Sequence, residues 1–124
     1  MENQDPAFIV NQFNNCINNK DLIGLSDLMT DDHIFIDRDR TVTKTKEVMT
    51  QNWRKFFEMV PNYKNTFTRI ESYQNNVTIV GYAFWSDDQP LDSVIWTAKI
   101  SNNLIQEWRI YKDTEQSRRV LNLI

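Results

Sequence analysis

Apolar and polar positions alternate most clearly between Asp92 and Asp113. Val94, Trp96, Ala98 and Ile100 share one face, and Ser93, Ile95, Thr97 and Lys99 share the other. Beyond Ser101-Asn102-Asn103, Leu104, Trp108 and Ile110 face one way, and Ile105, Glu107, Arg109 and Tyr111 the other. A period of two predicts a pair of strands. Asn-Asn supplies the left-handed backbone of a short hairpin turn. The mixed face still carries Ile95, Ile105 and Tyr111, which predicts that something covers it, a second subunit being one candidate.

Upstream the period changes. Asp5-Pro6 predicts a helix start, an acceptor followed by proline at the first helical position. Ile9, Val10, Phe13, Cys16 and Ile17 then recur at helical spacing. Asp21 predicts the cap of a shorter helix, with Leu22, Leu25, Leu28 and Met29 on its buried side and Thr30-Asp31-Asp32 as its stop. A short strand is expected over residues 33–38, with a loop from Asp39-Arg40. Thr43 or Thr45 can cap a third helix, whose apolar face is Met49, Trp53, Phe56, Phe57 and Val60 and which Pro61 ends. Residues 63–74 read as a strand and Asn75-Asn76 as a turn. In the next strand Val77, Ile79, Gly81, Ala83 and Trp85 oppose Val80, Tyr82 and Phe84, so both faces are expected to be buried. Asp113 is expected to cap a last helical stretch, with Gln116 in the capping-box position. Val120, Leu121, Leu123 and Ile124 form an apolar tail.

Helices first and strands afterwards predict an α+β domain spanning residues 1–124. A curved antiparallel sheet would carry the N-terminal helices on its concave face and close into a cone. Gly81 and Ala83 are small and assigned to the inside, so they are expected to leave space there. Trp53, Trp85, Trp96 and Trp108 are available to line it, and an aromatic hollow with a few polar groups is the usual form of a small-molecule site.

Charge narrows the partners. The net charge is −3 and the pI about 5.1, with basic residues scattered along the chain. That argues against nucleic acid or an anionic membrane as a partner. No apolar run reaches the roughly 20 residues of a membrane span. The opening residues MENQDPAF lack the basic and apolar regions of a secretion signal. Cys16 is the single cysteine, which excludes an intramolecular disulfide. Together these predict a cytoplasmic chain. Two glycines leave no phosphate-binding loop, and no nucleophile elbow or paired-cysteine motif is present. Neither a metal nor a cofactor is expected. His33, the only histidine, is read as a surface residue beside Asp31 and Asp32.

Three stretches carry a resemblance: FNNCINNKDLIGLSDLMTDDHIFID, EVMTQNWRKFF and NLIQEWRIYKD. They resemble the helix–helix–strand opening, the third helix and the closing strand of the nuclear transport factor 2-like superfamily, in particular its SnoaL-like polyketide cyclases and ketosteroid isomerases. The resemblance implies a cone fold; the aromatic hollow predicts a small apolar ligand, and the outer face bearing Val80, Tyr82 and Phe84 predicts a homodimer. It places Asp37 where the isomerases hold their general base. It places Phe13 and Trp96 where they hold two hydrogen-bond donors to an oxyanion, and Trp53 near a supporting tyrosine. Both donors are therefore missing here. Ile110 stands where the similar limonene epoxide hydrolases carry an aspartate. Asp113 is nearest to a late aspartate of the cyclases.

The expected site is then Asp37 as base, with Phe13, Trp53, Phe57, Ile79, Gly81, Ala83, Trp96, Trp108 and Ile110 around a small apolar molecule. Tyr63, Tyr111 or Asn52 would orient it. Two functions fit this pattern: a ligand-binding domain acting as a cofactor-free isomerase or cyclase, and a non-catalytic dimeric interaction module. In the second, the outer face bearing Val80, Tyr82 and Phe84 is the docking surface.

Overall fold

The computed structural model describes residues 4–124. Met1–Asn3, the start of the segment read as lacking a secretion signal, lie outside the described residues. In order, the elements are α1 (Pro6–Asn19), α2 (Leu22–Asp27), β1 (Met29–Ile36), β2 (Val42–Lys44), α3 (Lys46–Met59), β3 (Lys64–Tyr73), β4 (Asn76–Phe84), β5 (Asp92–Ser101), β6 (Leu104–Lys112) and α4 (Glu115–Val120). Six strands form one sheet in the order β2-β1-β6-β5-β4-β3. The fold is α+β, with a curved, unclosed sheet and the helices on its inner face. The sheet is mixed rather than wholly antiparallel, because β1 runs parallel to β6.

Local chemistry sets the helix starts. Asp5 accepts from the Ala7 amide and Asp21 from the Gly24 amide. Of the two candidate threonines, Thr45 caps α3, by accepting from the Val48 amide. Thr114 rather than Asp113 caps α4. Asp113 instead accepts from Arg118 at 2.6 and 2.9 Å. Those bonds outweigh partial burial and hold its carboxyl below the usual range. A carboxylate committed to a guanidinium is not free to cap a helix.

The inner core joins Ile9, Phe13 and Ile17 of α1 to Ile79, Trp96 and Trp108 of the sheet. Phe13 and Trp108 lie with ring centroids 4.9 Å apart, and Phe67 and Trp96 5.2 Å apart. Asn18 fastens α1 to β3: its Nδ2 donates to the Asn65 carbonyl at 2.9 Å, and its Oδ1 accepts from the Asn65 amide at 2.8 Å.

Several expectations change. β1 begins at Met29, so Thr30-Asp31-Asp32 is strand rather than helix stop. His33 is accordingly buried, not on the surface. Its Nδ1 lies 2.8 Å from the Ile105 carbonyl. A carbonyl only accepts, so Nδ1 carries the proton. Burial pushes the ring's pKa down and keeps it neutral. Ile105 lies in the inner core rather than on the mixed face. The register steps from Lys99↔Glu107 to Ile100↔Ile105, so Gln106 is an extra residue in β6 and reverses the alternation below it. β2 was not expected at all.

Gly81 leaves no room in the core. An alanine Cβ there would stand 2.0 Å from the Thr66 carbonyl oxygen. β3 carries an irregularity between Phe67 and Arg69 directly opposite, and its backbone occupies the space the glycine vacates. On the outer face, Val80 and Ile95 are covered by Leu123, with Leu121 and Tyr111 beside it. Arg69 Nη1 donates to the Leu123 carbonyl at 3.3 Å, fastening this strap. The chain's own tail thus covers the part of the sheet for which a second subunit was one candidate.

Candidate functional site

A cavity of about 260 Å³ opens at the end of the sheet where β1 leaves β6. Helix α3 contributes Met49, Asn52, Trp53 and Phe56, spaced so that they share one face. The end of β1 contributes Phe35 and, just past it, Asp37 and Arg38. Thr43 of β2, Val94 of β5 and Ile110 of β6 complete the wall, with Tyr63 just before β3 and Trp85 just after β4.

The wall is mostly aromatic. Trp53 and Phe56 meet edge to face at 5.9 Å, as do Phe56 and Trp85 at 5.7 Å and Tyr63 and Trp85 at 4.8 Å. Such contacts rigidify the rings beyond what burial alone gives.

The polar groups gather on one side. Arg38 makes a forked ion pair with Asp92, which also accepts from Trp85 Nε1 at 3.1 Å. Burial alone would raise the Asp92 carboxyl, but the bonds from Arg38 and Trp85 prevail and hold it below the usual range. Burial pushes the Tyr63 hydroxyl up, against the opposing charge of Arg38. At neutral pH it is therefore a phenol with a proton to donate. Trp53 Nε1 is buried and has no partner among the described residues. An orphaned donor of that kind is uncommon in a folded chain.

Asp37 stands at the rim and is exposed. Its Oδ1 accepts from the Arg38 amide at 2.7 Å. Its backbone closes the turn into β2, donating to the Thr41 carbonyl and accepting from the Arg40 amide. Neither Arg38, Arg40 nor Arg109 forms an ion pair with it among the described residues. The carboxylate is held by its own turn and is open to what enters the cavity.

Of the residues expected around a ligand, Trp53 and Ile110 line this cavity beside Asp37. Phe13, Phe57, Ile79, Gly81, Ala83, Trp96 and Trp108 belong to the packed interior behind it. The hollow therefore lies at the mouth of the cone, and the two central indoles fill its depth. Asn52 and Tyr63 reach the cavity, whereas Tyr111 lies on the other side of the sheet. Phe35, Met49, Phe56 and Val94 were not among the expected ligand contacts, whereas Trp85 was one of the four indoles available to line the hollow. The helical spacing of Met49, Trp53 and Phe56 was the available signal. It reads equally well as ordinary core.

No family model matches the chain, and no curated protein matches it. Solved structures do. A cystatin-fold protein from Novosphingobium aromaticivorans superposes with a TM-score of 0.78 at 14% identity, over 89% of this chain and 100% of that one. A nuclear transport factor 2-like protein of unknown function from Cytophaga hutchinsonii gives 0.75 at 13% identity, over 98% and 99%. A SnoaL-like polyketide cyclase candidate from Shewanella putrefaciens gives 0.76 at 12% identity, over 99% and 89%. The chain has the nuclear transport factor 2-like, cystatin-like fold. Among the described residues no helix is long and apolar enough to cross a membrane.

Proposed function

We propose that the chain binds a small, largely apolar molecule in the cavity at the mouth of the cone. The observation that carries this reading is a wall of locked aromatic rings meeting polar groups on one side, the usual composition of a small-molecule site. A volume of about 260 Å³ is below the range common for drug-sized ligands, so the molecule is small. The superposed polyketide cyclase candidate favours the same class of ligand. The domain acts as one unit over residues 1–124, in the cytoplasm. Its acidic balance disfavours nucleic acid and anionic membranes.

Where the ligand is turned over, the chemistry is proton transfer without metal or cofactor. Asp37 is the base. Its carboxylate stands exposed at the rim, within reach of a molecule held in the cavity. Tyr63 and Asn52 are the donors that can meet charge developing on a carbonyl oxygen. They take over from the positions where Phe13 and Trp96 offer none.

A neutral fluorescent probe, N-phenyl-1-naphthylamine, tests the binding. Its emission is expected to rise with wild-type protein and to stay near baseline with Thr43→Trp, which fills the cavity from an edge strand. Equal binding by both proteins would remove the cavity from the account. For the base, deuterium uptake from D2O into an enolisable cyclic ketone is the readout. Asp37→Asn is expected to keep probe binding and to lose about a hundredfold or more of any catalysed exchange. Unchanged exchange would end the catalytic role.

The second reading, a dimeric interaction module, is favoured by Tyr82 and Phe84. Both are only half-buried on the outer face, outside the small cluster formed with the tail. A homodimer through these residues is compatible with either function. Sedimentation of a monomer at every accessible concentration would remove the dimer.

A further inference from the structure

A second cavity, of about 310 Å³, adjoins the first. It lies between β6, the turn from β1 to β2, and α4. Arg40, Arg109 and Lys112 are on its wall. Among the described residues no carboxylate comes within ion-pair distance of these three. The arginines on either side are already paired, Arg38 with Asp92 and Arg118 with Asp113. The one carboxylate on the wall, Asp37, already accepts from the Arg38 amide. The groove thus holds an excess of positive charge in a chain whose net charge is −3.

Arg109 is prepared for an anion. Its guanidinium stacks on the Tyr111 ring at 4.5 Å, which fixes its plane and leaves its edge for an acceptor. Its Nε is buried with no acceptor among the described residues. A buried charged donor left in that state is costly, and a ligand oxygen would relieve it.

The two cavities share Asp37, Arg38 and Ile110 as walls. The reason is topological. The β1–β6 ladder ends at Ile36↔Arg109, while β6 continues to Lys112 beside β5. Past Ile36 the chain turns away, and the apolar cavity on the inner side comes next to the cationic groove on the outer side.

We infer that the ligand is an amphipathic organic acid. Its apolar body sits against the rings of the inner cavity, and its acid group passes between the Asp37–Arg38 turn and Ile110 to reach Arg109, Arg40 and Lys112. This inference rests on the proposal that the inner cavity binds an apolar molecule. It adds the acid group, and with it a fixed direction for the ligand relative to Asp37.

Calorimetric titration with 4-phenylbutanoate and with its neutral amide tests it. The two probes share one apolar body and differ in charge. Wild type is expected to bind the acid about tenfold more tightly than the amide. The preference is expected to shrink with added salt, to fall in the exposed-residue double variant Arg40→Gln/Lys112→Gln, and to vanish in the triple variant that adds Arg109→Gln. Thr43→Trp is expected to weaken both probes. Equal affinity for acid and amide in wild type overturns the acid inference and leaves the apolar cavity standing. An acid preference that survives undiminished in the triple variant overturns the groove as its origin. Acid binding untouched by Thr43→Trp, with no binding of the amide, overturns the cavity and the bridging ligand together, as does no binding of either probe.

Discussion

Gly81→Ala is expected to lower the melting temperature by about 12 °C, corresponding to about 3 kcal/mol of stability. The new methyl group would stand 2.0 Å from the Thr66 carbonyl oxygen, with the Thr66 carbonyl carbon and Phe67 Cα at 3.0 and 3.1 Å. All three are backbone atoms of the neighbouring strand, so no side chain can swing away to make room. Relief requires β3 to separate from β4 around the pair Phe67↔Gly81, which breaks ladder hydrogen bonds. Gly24→Ala is the control. Its methyl group would meet Asp21 Oδ2, Cys16 Sγ and Asp21 Cγ at 2.5, 2.6 and 2.9 Å, all side-chain atoms, so that relief costs at most the Asp21 cap of a six-residue helix. Alanine also favours the helix, so a much smaller loss is expected there. Circular dichroism melts of the two variants decide the matter. A Gly81→Ala melt within a degree or two of wild type would mean that β3 does not approach β4 so closely.

Trp108→Ala is expected to cost about 4 kcal/mol, the range for truncating a buried indole. Trp108 is 1% exposed and packs against Phe13 at 4.9 Å and Phe67 at 6.4 Å. Its partner across the sheet is Ala98, too small to fill the void. The result separates two roles for the indole. A ligand platform at an open surface would lose binding and little stability. A core residue loses stability, while the folded fraction still binds the neutral probe at the mouth. Denaturant melts together with probe titration below the transition read both quantities. Abolished binding with unchanged stability would return Trp108 to the site.

Much of the fold was legible because its signals are local. Asn102 and Asn103 both take left-handed backbone, at φ 52 and 65, as the hairpin turn requires. Asp5, Asp21 and Thr45 announce their helices in the same way, through a side chain bonding to an amide two or three residues on. What was not legible depends on partners far along the chain. The bulge at Gln106 reversed the alternation for Ile105. Asp31 and Asp32 are polar enough to look like a helix stop, yet they lie within β1, where its ladder with β6 is irregular between Met29 and Ile34. Gly81 suggested empty space, whereas the backbone of β3 fills it. Val80 and Ile95 called for a cover, and nothing local says that Leu123 provides it.

The site shows the same division. Asp37 and Trp53 could be picked out by position and chemistry. Trp96 and Trp108 have the same face assignment as Val94 and Ile110, and alternation cannot rank depth along a strand. Residues toward the closed end meet α1 and pack solid. Those toward the open end meet the aromatic face of α3 and leave a hollow. The fork between Arg38 and Asp92 joins residues 54 positions apart, so it too was hidden until the fold brought them together.

Four tryptophans give a built-in ruler for ligand position. Trp53 and Trp85 line the cavity, whereas Trp96 and Trp108 lie in the packed interior. Each indole N–H gives its own resonance in a nitrogen–proton correlation spectrum. Titration with N-phenyl-1-naphthylamine is expected to move the Trp53 and Trp85 peaks and to leave those of Trp96 and Trp108 in place. Movement of the Trp96 and Trp108 peaks alone, or of none of the four at saturating probe, would contradict a binding site at the mouth of the cone.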